Sequence, residues 1–194
     1  ALWLRGHLYC EAGKFDLALA DLNAAIRIRP RFKSALVERG VALYMKGDLS
    51  GASKSFEKVV ALFPEEAQGW MKRSVIRMRM GRLEEALADV NKAIHIEPRL
   101  PEPWNTRGTI YDRLGDKQAA IEDYSRAILA DSNYGRAYHN RANMYLTLGD
   151  LESALEDFTQ SIRVEPRYLP SYNNRGWVRS QLGDRKGALE DFSE

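Results

Sequence analysis

Three histidines, one cysteine and 27 acidic side chains are the raw material for metal or acid–base chemistry in this chain of 194 residues. Such chemistry needs those groups to converge, through a short local motif or through elements that fold them together. His7, His95 and His139 fall in three different segments and do not pair locally as metal ligands. The lone Cys10 excludes an internal disulfide framework and a cysteine-based zinc site. No HExxH, GxGxxG, phosphate-binding loop or GxSxG is present. Glu84–Glu85 and Glu122–Asp123 resemble catalytic pairs on paper, but they sit on helical patterns beside apolar stripes and read as solvated faces. The expectation is no enzyme, no metal and no cofactor.

A different set of polar residues is regular. Arg5, Arg39, Arg73, Arg107, Arg141 and Arg175 recur in a constant step of 34. Asp21, Asp89, Asp123, Asp157 and Asp191 keep the same step, with Ser55 in the remaining place. The parallel spacing predicts a ladder of Arg–Asp ion pairs between helices, since the arginine fork meets a carboxylate with two hydrogen bonds. Partly buried pairs recover their desolvation poorly, so the ladder is expected to fix register more than to add stability. Pairing within one repeat or across neighbours stays open. Ser55 decides it: Arg39 lacks a carboxylate in the first case, Arg73 in the second.

The elements that hold these residues follow from the same period. Gly13, Gly47, Gly81, Gly115, Gly149 and Gly183 recur in it, as do Ala18, Ala52, Ala86, Ala120, Ala154 and Ala188. A period in this range with small residues marks a helical-hairpin repeat. Pro30, Pro64, Pro98 and Pro166, with Ser132 in a fifth place, set the register 1–32, 33–66, 67–100, 101–134, 135–168 and 169–194; the first and last repeats are incomplete. Helix A is expected over about the first fourteen positions and helix B over about positions seventeen to thirty. The glycine between them suits a tight turn, and Asp48, Asp116, Asp150 and Asp184 after it are placed to cap helix B. Gly6, Gly40, Ser74, Gly108, Ala142 and Gly176 at position eight let the two helices approach. No linker interrupts the series, so 1–194 reads as one continuous domain.

These residues carry a family resemblance. The pattern of a large residue, Gly and Tyr, seen in Trp104, Gly108 and Tyr111, followed by Gly115 and Ala120, resembles the tetratricopeptide repeat (TPR). The resemblance implies an all-α solenoid, a right-handed superhelix of about six helical hairpins, with helix A lining a concave groove. It also implies that the groove binds a peptide or a partner helix.

That register puts positions two, five, six, nine, twelve and thirteen of helix A toward the groove. In the first three repeats they include Trp3, Val37, Val41, Tyr44, Met45, Met71, Val75 and Met78, an apolar strip with adaptable methionines. In the last three they include Asn105, Thr109, Asp112, Arg136, His139, Asn140, Asn143, Asn173 and Asn174, whose amides suit the backbone of an extended peptide. The alternative is that these residues merely pack between adjacent helices A. Lys72 and Arg79 also point to the groove and leave an acidic peptide open as a ligand. Chaperone-binding relatives that grip a C-terminal carboxylate are matched at Asn143 and Asn174, but His139 stands where their first Lys belongs.

The leading function is therefore a protein–protein interaction scaffold binding a protein or peptide partner. Two rivals remain: a substrate-selecting arm of a larger enzyme, and a self-association module. A groove ladder of Asn at position six would favour the arm, and only Asn140 and Asn174 match it. The net charge of +2 makes no case for nucleic acid or membrane as partner. The lone cysteine fits a reducing compartment such as the cytoplasm, with localisation otherwise open. Leu189 and Phe192 fall on a face that a following helix would cover, so a fragment of a longer protein that associates end to end is expected.

Overall fold

The computed structural model describes residues 1–194, all in helices and short turns. Twelve helices follow one another: α1 (Leu2–Glu11), α2 (Phe15–Ile28), α3 (Lys33–Met45), α4 (Leu49–Leu62), α5 (Ala67–Arg79), α6 (Leu83–Ile96), α7 (Pro101–Leu114), α8 (Lys117–Ala130), α9 (Gly135–Leu148), α10 (Leu151–Val164), α11 (Leu169–Gln181) and α12 (Arg185–Asp191). Odd-numbered helices are helix A of each repeat and even-numbered ones helix B. The fold is the expected all-α helical-hairpin repeat. The chain divides into two compact units, Ala1–Pro98 and Arg99–Glu194.

Each hairpin turns on its glycine. Gly115 sits at φ 86° with open space around the place a Cβ would take, so backbone conformation and not crowding selects glycine there. The N–H of the next residue, Asp116, closes back on the Tyr111 carbonyl at 3.0 Å, and the other five repeats make the same bond. Asp116 then caps α8 by accepting from the Ala119 N–H at 3.1 Å; Asp48, Asp150 and Asp184 cap their helices likewise. Where Lys14 and Arg82 follow the glycine, no side-chain cap forms. Helices B end two residues before each proline or Ser132, and helix A resumes within three residues.

Close approach within a hairpin has the opposite cause. A Cβ on Gly40 would lie 2.6 Å from the Phe56 ring, so in this hairpin the ring takes the space that the missing side chain of position eight leaves. Phe56 is thereby fully buried, a contribution of roughly 1.5–3 kcal/mol. In the N-terminal unit Leu22, Leu36, Phe56, Val59 and Ile76 belong to one core running through consecutive hairpins. In the C-terminal unit Ile121, Tyr124 and Met144 form one cluster, and Phe158 and Val178 another, each joining a helix B to helices A. Leu189 and Phe192 are exposed, whereas the counterparts of Phe192 in earlier repeats are buried.

Candidate functional site

The arginine–aspartate ladder joins helix A to helix B inside each repeat. Arg107 Nε and Nη2 donate to the two oxygens of Asp123 at 2.6 and 2.8 Å. Arg5–Asp21, Arg73–Asp89, Arg141–Asp157 and Arg175–Asp191 repeat this fork. Arg39 is the one without a carboxylate, as pairing within a repeat requires: its Nε donates to Ser55 Oγ at 3.1 Å. Burial lowers the Arg39 pKa, while the hydrogen bond that Arg107 donates to Asp123 raises that of Arg107. Aromatic rings close over the cations. Arg107 lies 4.9 Å from the Trp104 ring and 5.9 Å from Tyr111; Arg141 lies 5.9 Å from both Tyr138 and Tyr145.

Two acidic pairs resolve accordingly. Asp123 was expected on a solvated face with Glu122; instead the ladder buries it, because Arg107 replaces the water it loses. Glu85 is held by Arg82 at 2.5 and 2.6 Å, which lowers its pKa, and Glu84 is exposed. Arg73 and Arg77 both bind Asp89. No group of three His, Cys, Asp or Glu side chains is arranged to hold a metal ion.

The helix A residues expected to bind a partner separate into two groups. In the N-terminal unit Val41, Tyr44, Met45, Met71 and Val75 line a cavity of about 260 Å³, with Phe56 and Ile76 among its walls. Lys72 lines it too. Sequence reasoning missed Phe56 and Ile76, since both carry core positions of the repeat. Val37 packs against the core, and Trp3 stacks on His7 and tilts onto Phe32. Met78 is not presented: it is 7 % exposed, turned into the fold.

In the C-terminal unit two asparagine pairs tie consecutive helices A together. Asn140 Nδ2 donates to Asn105 Oδ1 at 2.9 Å, and Asn174 Nδ2 to Asn143 Oδ1 at 2.8 Å. Both pairs therefore have a packing role, and each keeps further donor and acceptor capacity. Arg136 and Asn173 are exposed. His139 is a correction: it was expected to face the groove, and the structure buries it. Its Nδ1 lies 2.9 Å from Ser171 Oγ, and its ring meets Phe158 and Tyr168 edge to face. Burial without a charged partner pushes its pKa down to about 4.

Hairpins of this length, stacked through small residues and a repeated ion pair, define the class of helical-repeat interaction scaffolds. The descriptions "Tetratricopeptide repeat" and "TPR repeat" match residues 6–47, 46–101, 101–134 and 135–168, and the chain belongs to the tetratricopeptide repeat family. Over 73 residues it is 34 % identical to the mitochondrial import receptor subunit TOM70 of Rattus norvegicus, a match covering 34 % of this chain. The chain spans only 12 % of the length of that relative, and the same share of its Mus musculus counterpart. Among solved structures, MamA is 25 % identical with a TM-score of 0.68, covering 79 % of this chain and 90 % of MamA. Pseudomonas aeruginosa PilF is 16 % identical with a TM-score of 0.84, covering 98 % and 86 %; at that identity the likeness is one of fold. No helix is long and apolar enough to cross a membrane.

Proposed function

We propose that the chain is a protein-binding scaffold whose six repeats act as one domain, docking a partner segment along helices A, with no catalytic chemistry of its own. The observation that carries this is the cavity of about 260 Å³ lined by Val41, Tyr44, Met71 and Val75. It is smaller than the roughly 300–1,000 Å³ of pockets that enclose a drug-sized ligand, and it suits one bulky apolar side chain. Met45, 59 % exposed at its edge, adapts to the shape of such an anchor. The amides of Asn140, Asn143 and Asn174 support a polar contact to an extended backbone in the C-terminal unit, through the capacity left after their own bonds.

The test begins with a pull-down of the whole chain and identification of what it retains by mass spectrometry. Binding of that partner is then compared among three proteins. Met71→Glu is expected to abolish it, because an apolar anchor entering the cavity would strip water from an ionised carboxylate. The pair Asn140→Ala with Asn174→Ala is expected to weaken it by about 1–3 kcal/mol. A partner that binds both variants as tightly as the parent moves the site off helices A.

A further inference from the structure

A second cavity, of about 400 Å³, lies between α9 and α10. It is polar, and Tyr138, Tyr145, Ser153, Gln160 and the Arg141–Asp157 pair line it. Repeats 3 and 6 show one way of filling this place, whereas repeat 1, with Tyr9 at position eleven and Ala24 at position twenty-six, leaves it without a second cation as repeat 5 does. In repeat 3, position eleven is Arg77, whose Nη1 donates to Asp89 Oδ2 at 2.8 Å and to the Glu85 carbonyl at 3.5 Å. In repeat 6 it is Arg179, whose Nη1 lies 3.1 Å from Asp191 Oδ2 and donates to the Gly187 carbonyl at 3.1 Å. Both guanidinium groups thus use positions twenty-three and nineteen of their repeat. Each ladder aspartate there holds two arginines: Asp89 holds Arg73 and Arg77, and Asp191 holds Arg175 and Arg179. In repeat 4 a cation comes from another position, with Arg126 at position twenty-six lying 5.2 Å from the Trp104 ring.

Repeat 5 keeps the acceptors and lacks the second cation. Asp157 and Ser153 stand at positions twenty-three and nineteen, but position eleven is Tyr145 and position twenty-six is Gln160. Gln160 carries a buried amide oxygen with no hydrogen-bond donor. We propose that this cavity binds the guanidinium of an arginine side chain presented by a partner protein. The site is independent of the helix A face described above.

Four features of the cavity recognise that group. Asp157, 4 % exposed, accepts one bond on each oxygen from Arg141 and has lone pairs left for a second donor, as Asp89 does. Burial pushes its carboxyl above the usual range despite Arg141, so a second cation relieves a charge that one leaves under-compensated. The Tyr138 and Tyr145 rings attract a cation over their faces. Gln160 and the exposed Glu156 add acceptors, while Arg163 at the rim opposes entry from a water-screened position. A planar fork meets several acceptors at once, where an ammonium meets them as a point charge.

The test is a titration of the whole chain, followed by amide chemical shifts, with a capped Gly-Ser peptide carrying a single arginine. Saturable shifts are expected at Tyr145, Ser153 and Gln160. The same peptide with lysine should bind about fivefold more weakly or worse, and with uncharged citrulline not at all. Tyr145→Arg should refill the cavity from inside, as Arg77 does, and remove the response while the fold is retained. Should that variant unfold, Glu156→Lys on the exposed rim is expected to weaken the arginine peptide about fivefold. Absence of saturable shifts, equal binding of the three peptides, or an unchanged response in whichever variant is folded overturns the proposal. Free L-arginine binding as tightly as the peptide overturns the assignment to a partner protein.

Discussion

At the scale of single residues, Ser55 is the informative exception in the ladder. It leaves Arg39 with a hydroxyl where five other arginines meet a carboxylate, and Ser55 Oγ is itself committed to the Gly51 carbonyl at 3.0 Å. Removing one partner of a buried pair leaves an uncompensated charge, so Asp123→Ala is expected to destabilise by about 3–5 kcal/mol. The reverse change, Ser55→Asp, supplies the missing acceptor and should stabilise by about 1 kcal/mol, read as a higher midpoint in urea. A lower midpoint for Ser55→Asp means that the site has no room for the carboxylate. His139 makes a prediction in pH. Its pKa falls from 6.5 in the unfolded chain to about 4 in the fold, so the folded state prefers the neutral ring. The associated stability is fully present above about pH 6.5 and is lost as pH falls toward 4, amounting to at most about 3 kcal/mol. His139→Gln should flatten the stability profile across that window; an unchanged profile assigns the loss to other groups.

At the scale of the helical hairpin, two glycines of repeat 4 are required for different reasons, and substitution separates them. Gly115→Ala forces a Cβ into the left-handed region at φ 86° and should cost about 1–2 kcal/mol. Gly108→Ala has an ordinary helical backbone but places its Cβ 2.7 Å from the Tyr124 ring, for about 1–3 kcal/mol of overpacking. Trimming the ring with Tyr124→Leu should relieve the second penalty and leave the first untouched. Double-mutant cycles in denaturant measure this; equal coupling for both glycines contradicts the distinction.

At the scale of the whole molecule, stability is a sum over repeats and their nearest-neighbour contacts. The helices therefore differ in protection. Helix α1 buries only Gly6, and its Arg5 is 60 % exposed beside Asp21. Helix α4 buries Ala52, Phe56, Val59 and Val60 among others. Native-state hydrogen exchange is expected to open α1 at lower free energy than α3 and α4, in contiguous steps. Uniform protection from α1 to α4 indicates that the N-terminal unit unfolds in one concerted step.

The sequence by itself determined the architecture, because the rules that build it are local and recur from repeat to repeat. Glycine before a helix start, Asp after it and small residues at positions eight and twenty fix the hairpin wherever they recur, and the constant spacing of Arg and Asp announced their pairing. Tertiary structure decided what depends on neighbours three-dimensionally. It chose pairing within a repeat, since helices A and B of one hairpin bring positions seven and twenty-three together. It turned His139 and Met78 inward, although their positions in the repeat give groove-facing residues elsewhere. It also opened the cavities beside Met71 and beside Tyr145. A cavity is a mismatch in volume between side chains from separate helices, and one-dimensional periodicity carries no term for that.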